Sequence, residues 1–295
     1  MLSPRRRYTV PLPGDRALSL GERTLVMGVL NVTPDSFSDG GRLDEPARAV
    51  DTALAMAEAG VDIIDIGGES TRPGADPVPA DDEIDRVVPV IEAFVRQSYL
   101  PVSIDTYKAQ TAAAALDAGA MIVNDVSGLQ YDPALGPLVA ERRAGLVLMH
   151  MRGRPADMYR EAVYRDVARE VAAELGEAVA RAHEAGVARE AIILDPGLGF
   201  AKRADHSLET LAALDHAALR ALDRPLLVGP SRKSFLQMAV GADIAPTDRD
   251  WATAGAVTAA ILLGAHIVRV HRIPEMVQVA RLADMIRAER ERQAR

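Results

Sequence analysis

Met27-Gly28-Val29-Leu30-Asn31-Val32-Thr33-Pro34-Asp35-Ser36-Phe37-Ser38-Asp39-Gly40-Gly41 decides how the chain is read. It begins inside an apolar run, Leu25 to Leu30, with the length of one buried strand. Pro34, Gly40 and Gly41 then forbid regular structure, and the strand gives way to a polar loop around a single phenylalanine, Phe37. Polarity alone would suit a solvated surface loop. Repetition argues for more: apolar strand, polar signature, then helix recurs to the end of the chain.

Working outward, strands are expected at about 25–30, 61–66, 101–105, 120–124, 145–149, 191–195, 225–229 and 266–270. Amphipathic, alanine-rich helices fall between them near 46–59, 81–97, 108–118, 133–141, 164–185, 207–221 and 251–264, with a last one at 274–291. Asp44 can cap a helix whose first turn holds Pro46, Gly60 and Gly186 follow helix ends, and Pro274 opens the final helix. Tyr8 to Leu20, with Gly14-Asp15 at its middle, reads as a hairpin. Eight strand–helix units of roughly 33 residues match a TIM barrel. The fold expected is therefore α/β, a (β/α)8 barrel spanning 24–295 as a single domain, preceded by an N-terminal hairpin segment, 1–23. A doubly wound open sheet is the alternative.

Composition narrows the function. Hydrophobic content of 48% supplies a large core, and there is no cysteine for disulfides, zinc thiolates or a thiol nucleophile. A net charge of −8 argues against nucleic-acid binding, which needs a basic face. Arg5, Arg6 and Arg7 are followed by no apolar core, and no run approaches a membrane span, so a soluble cytoplasmic protein is expected. The only lysines are Lys108, Lys202 and Lys233. The last two lie in glycine- or serine-bearing loops after strands, where a compact ammonium has a use that arginine does not.

In a barrel, catalysis collects at the C-terminal ends of the strands. Those ends carry Gly67-Gly68-Glu69-Ser70-Thr71-Arg72-Pro73-Gly74, Asp105-Thr106, Asn124-Asp125, Met149-His150-Met151-Arg152, Asp195 to Lys202, Ser231-Arg232-Lys233-Ser234, and Arg269 with His271. Strand parity puts Arg269 and His271 on one face and His266 on the other, which disfavours a metal pair of the two histidines. The same parity groups Asn124 with Ile122 and apart from Asp125. With that face inward, Asp105, Asn124 and Asp195 converge on the barrel mouth. Two carboxylates, an amide and a lysine suit a flat heterocycle with alternating donors and acceptors. Arg72, Arg269 and His271 form a cationic cluster fit for phosphate or pyrophosphate, and Asn31 with nearby loop oxygens can hold Mg²⁺. No P-loop, nucleophile elbow or zinc helix is present.

These segments resemble the dihydropteroate synthases, the folate-pathway branch of the pterin-binding barrel family, from about Leu25 to Ile273. The resemblance implies condensation of 6-hydroxymethyl-7,8-dihydropterin pyrophosphate with p-aminobenzoate, releasing pyrophosphate. It implies a pterin edge held by Asp105, Asn124, Asp195 and Lys233, with Met149 and Phe200 near the ring. Asn31 would contribute to Mg²⁺ binding, and Arg72, Arg269 and His271 would hold pyrophosphate. Phe37, Thr71, Pro73 and Ser231 would shape the p-aminobenzoate site, Asp39 would act from the first loop, and sulfonamide-type analogues of p-aminobenzoate would inhibit. Two positions depart from the family pattern: Arg272 stands where Asp is usual, and Arg203 where a small hydroxyl residue is usual. A corrinoid-linked methyltransferase and a catalytically inactive pterin-binding paralogue are the rival readings. Family habit, with an apolar helix from Trp251 to Gly264, points to a homodimer.

Overall fold

Residues 8–20 alternate apolar and polar side chains across a three-residue turn, and they pair as an antiparallel hairpin of β1 (Tyr8–Leu12) and β2 (Arg16–Leu20) in the computed structural model. The turn is possible because Gly14 and Asp15 both take positive φ, a region open to Gly and tolerated by Asp. The structure describes residues 4–33, 45–71, 74–155, 157–160 and 162–293.

Eight short parallel strands follow: β3 (Leu25–Asn31), β4 (Ile63–Gly67), β5 (Val102–Asp105), β6 (Ile122–Asp125), β7 (Gly145–Met149), β8 (Ile192–Asp195), β9 (Leu227–Val228) and β10 (Ile267–Val270). Around the ring they run β8, β7, β6, β5, β4, β3, β10, β9, so the first and last barrel strands are neighbours. The ring closes between β8 and β9 through a parallel bridge of Leu194 to Leu226, with the Leu194 N–H donating to Pro225 O at 2.9 Å. This is the expected (β/α)8 barrel, and its strands are buried on both faces, as parallel strands covered by helices must be.

Helices fill the outside: α1 (Glu45–Glu58), α2 (Ala80–Val95), α3 (Ala109–Asp117), α4 (Leu135–Arg142), α5 (Val167–Glu184), α6 (Ala204–Ala212), α7 (Ala217–Ala221), α8 (Gln237–Val240), α9 (Asp250–Leu262) and α10 (Ile273–Gln293). The single helix expected over 207–221 is two helices. His216 breaks it, because its side chain accepts from the Ala218 N–H and so caps α7 in place of a continuing turn. The strand expected at 225–229 shrinks to two paired residues, since Pro225 and Pro230 have no N–H to donate to a ladder.

Odd and even positions of each strand divide the core. Val26, Ile64, Ile104, Val123, Leu148, Leu194 and Val268 face the helices. Leu25, Met27, Ile63, Ile122, Val147, Ile193, Leu227 and Ile267 face inward at the N-terminal end of the barrel. There they meet Val10, Leu12, Leu18 and Leu20 of the hairpin, which closes that end with aliphatic side chains.

Candidate active site

Moving up the same inward columns, the side chains change from aliphatic to polar. Asp65 on β4, Ser103 and Asp105 on β5, Asn124 on β6 and Asp195 on β8 are all buried, and Arg269 on β10 reaches across to them. Its Nε donates to Asp65 Oδ2 and its Nη2 to Asp105 Oδ2, each at 2.6 Å. Asn124 Nδ2 donates to the same Asp65 oxygen at 3.1 Å. Asp125, of opposite parity, instead accepts the N–H groups of Ser127 and Leu129 in its own loop. Asp65 is thus the hub of the inner network, a role beyond those expected from the sequence. Its signal was a carboxylate inside the apolar run Ile63-Ile64-Asp65-Ile66, two positions before the strand end.

Burying carboxylates is costly unless cations or donors reach them. Burial pushes Asp105 up to about 7, with the Arg269 guanidinium opposing and the Asp65 charge adding to the rise. Burial also raises Asp195, against the Gly197 N–H that donates to its Oδ1 at 2.8 Å and the nearby Lys233 and Arg269 charges. The Asp65 and Asp105 Oδ1 oxygens and Ser103 Oγ are buried with no hydrogen-bond partner. An unsatisfied group of this kind costs about 1–3 kcal/mol, so the mouth favours a ligand that brings N–H donors.

The loop after β8 lies directly on the end of β7. A Cβ on Gly197 would stand 2.1 Å from His150 O, so only glycine allows this approach. The loop delivers Phe200 into an apolar cluster with Val126, Met149, Met151, Met158 and Ala201. Lys233 Nζ sits 3.8 Å from the Phe200 ring centroid, joining a cation to that apolar wall. Lys233 is itself placed by a clamped loop. Arg232, at φ +60°, donates its N–H to Thr253 Oγ1 and its side chain to Asp250, while buried Arg249 holds the Arg232 and Ile244 carbonyls. In the same loop Ser231 Oγ lies 2.9 Å from His271 Nδ1.

The structure therefore brings together Asp105, Asn124, Asp195 and Arg269 at the mouth, with Met149, Phe200 and Lys233 along one wall and Ser231 paired to His271. Asn31 ends β3 with inward parity, and Thr71 lies on the loop after β4, both half-buried. Phe37, Asp39, Arg72 and Pro73 lie outside the described residues, as does the Asp44 cap. Of the expected cluster of Arg72, Arg269 and His271, Arg72 is not among the described residues, and Arg269 is turned to the carboxylates of Asp65 and Asp105. His266 is at the opposite end, its Nδ1 accepting from the Leu226 N–H. Arg272 is exposed and pairs with Glu275, and Arg203 is an exposed residue preceding α6.

The model of the pterin binding enzyme family matches residues 27–271. A dihydropteroate synthase of Synechocystis is 44% identical over 280 residues, 95% of this chain and 96% of its own. Among solved structures, the Xanthomonas albilineans dihydropteroate synthase with 4-aminobenzoic acid superposes with a TM-score of 0.86 at 40% identity, covering 95% of this chain and 99% of that one. The Yersinia pestis dihydropteroate synthase in complex with a sulfonamide drug gives 0.87 at 37% identity over the same shares.

Proposed function

Because the chain belongs to the pterin-binding enzyme family, we propose that its barrel mouth joins 6-hydroxymethyl-7,8-dihydropterin pyrophosphate to p-aminobenzoate. The products are 7,8-dihydropteroate and pyrophosphate. The supporting observation is the inner network itself: buried carboxylate oxygens lacking donors, an amide beside them and a lysine on the wall.

Asp105 and Asp195 accept from the amino and ring N–H groups of the pterin, and Asn124 and Lys233 complete its edge. Met149 and Phe200 cover the ring and keep water from the methylene carbon. The bond from that carbon to the pyrophosphate oxygen breaks with its electron pair leaving on oxygen, and the dihydropterin nitrogen system stabilises the cation left behind. Arg72, Arg269 and His271 neutralise the departing charge. The amine of p-aminobenzoate, held by Phe37, Thr71, Pro73 and Ser231, then forms the new C–N bond and gives up one proton. Asp39 acts from the first loop. Sulfonamides, which resemble p-aminobenzoate, compete for the same place.

Among the described residues no group of three or more His, Asp or Glu side chains is placed to hold a metal ion. The donor at hand is the Asn31 amide oxygen, and that hard, neutral ligand fits Mg²⁺, which binds through few protein groups and substrate phosphate oxygens. Bound there, Mg²⁺ supplies Lewis-acid neutralisation of pyrophosphate charge.

The enzyme works in the cytoplasm as a homodimer. Trp251 on α9 and Leu282, Met285 and Ile286 on α10 are exposed large apolar side chains on adjacent helices, a surface that a second copy would cover. Pyrophosphate release, with pterin pyrophosphate, p-aminobenzoate and Mg²⁺ omitted in turn, tests the reaction. Release must require all three, and pterin binding without release would mark an inactive paralogue. Sedimentation gives the oligomeric state.

A further inference from the structure

Lys202 takes no part in the chemistry above, yet it is 1% exposed, among the most deeply buried large side chains of the protein. It sits behind the barrel wall, between the ends of β7 and β8 and helix α5. Its Nζ is 2.7 Å from His150 Nδ1 and 3.2 Å from each of the carbonyl oxygens of Gly197 and Phe200. An ammonium has three donors and no acceptor, and here three acceptors meet it. His150 Nδ1 is then unprotonated, and its Nε2–H donates to Glu174 Oε2 at 3.0 Å. Burial holds His150 down to about 4, and the adjacent ammonium adds to that effect. Burial also pulls Lys202 down to about 7, with Asp195 and Glu174 raising it and Arg152 and Lys233 lowering it.

The far end of the network returns to the same loop. Arg152 binds Glu174 and lies 4.0 Å from the centre of the Tyr164 ring, and Tyr164 Oη donates to Ala201 O at 3.0 Å. Three carbonyls between Gly197 and Ala201 are therefore held by one connected set of side chains. On the mouth side, that loop contributes the Gly197 N–H on Asp195 and the Phe200 ring under Lys233. Next to the network, a cavity of about 290 Å³ is bordered by Gln130, His150, Glu174, Glu177 and Arg181. Glu174 is about a third exposed there, so this end tolerates substitution.

We propose that Lys202 is a positioning residue for the heterocycle: seated on His150, its ammonium pins the Gly197 and Phe200 carbonyls and thereby sets the Asp195 carboxylate and the Phe200 ring. The inference rests on the reading of the mouth as a pterin site. Lysine is required because three donors converge from a point, whereas the planar fork of arginine spreads them and a methionine has none.

The test is steady-state kinetics with each substrate varied separately, in wild type, Lys202→Met and Glu174→Gln, with folding checked by circular dichroism. Lys202→Met raises KM for the pterin substrate by about tenfold, the loss of one or two interior hydrogen bonds, with KM for p-aminobenzoate changed by less than about twofold. Glu174→Gln moves the pterin KM the same way by roughly two- to threefold, as the weakening of one hydrogen bond at a part-exposed group does. A folded Lys202→Met with unchanged pterin KM, or with equal changes in both KM values, overturns the inference. Should Lys202→Met fail to fold, the Glu174→Gln comparison decides by the same criterion. A wild type that neither binds the pterin nor releases pyrophosphate overturns the reading of the site itself, and this inference with it.

Discussion

The two ends of the barrel are built on the same eight strands, and they obey opposite rules. At the N-terminal end, Met27, Ile63, Ile122 and Ile267 pack against Val10, Leu12, Leu18 and Leu20 of the hairpin in one apolar cluster. A few residues further along the same columns, Asp65, Asp105, Asn124 and Asp195 are buried together with Arg269. The lower end is closed by aliphatic side chains, whereas the upper end leaves carboxylate oxygens without donors. The unsatisfied end is where a ligand has the most to contribute, and the apolar end supplies burial that offsets the cost of the polar one.

That contrast can be broken in graded steps. The largest effect is expected from Asp195→Asn. It removes the charge from an edge that accepts donors, and pterin affinity should fall by roughly 100-fold, as for a charge-assisted pair. The melting temperature should hold or rise, because burial penalises the carboxylate. Equilibrium binding beside a thermal melt reads both, and unchanged pterin affinity would remove Asp195 from the site. Leu20→Ala, at the other end, should do the reverse. A cavity under the hairpin costs about 2–5 kcal/mol in denaturant titrations, while both KM values stay within about twofold. A matching loss of substrate affinity would show that the two ends are not separable.

A subtler separation lies in pH. Asp105 is raised to about 7, so between about pH 4 and about 7 the folded chain holds a proton that the unfolded chain has released. Its contribution to stability therefore falls as pH rises through that window. Burial lowers His150 to about 4, which gives a rise with pH over part of the same range, so the informative quantity is a difference. Stability of wild type minus that of Asp105→Asn should decline from pH 4 to pH 7, and the corresponding difference for Leu20→Ala should be flat. The smallest effect is expected at Arg272, exposed and paired with Glu275 and Asp250 beside the mouth. Arg272→Asp should change kcat/KM by less than about twofold, as exposed ion pairs do. A large gain would show that the family's usual residue matters here.

The barrel was legible in the sequence because the strand period and parity are set by local chemistry. Apolar runs of fixed length, glycines after helices and polar strand ends specify eight units, and parity alone places Asp105, Asn124 and Asp195 on one face and Asp125 on the other. The helix break at His216 was not legible, since a histidine acting as a cap looks like any other helical polar residue. Asp65 was missed because an isolated carboxylate in an apolar run is ordinarily read as part of a strand's outer face. Only the register with Arg269 across the barrel reveals what it does. Lys202 was flagged by the rarity of lysine, but its partner His150 lies on another strand end, and no local pattern links the two.

The neighbours β3 and β10 come from the two ends of the barrel sequence, and their ladder from Leu25 to Gly28 against Ile267 to Val270 joins the first barrel strand to the last. During synthesis, then, the growing polypeptide carries β3 with one bare edge until nearly the whole chain has emerged. Contacts this distant in sequence form late and slowly. The hairpin, β3 and β4 can assemble early, but the wall that bears Arg269 arrives last. Asp65 and Asp105 are therefore made long before Arg269, the cation that pairs with both.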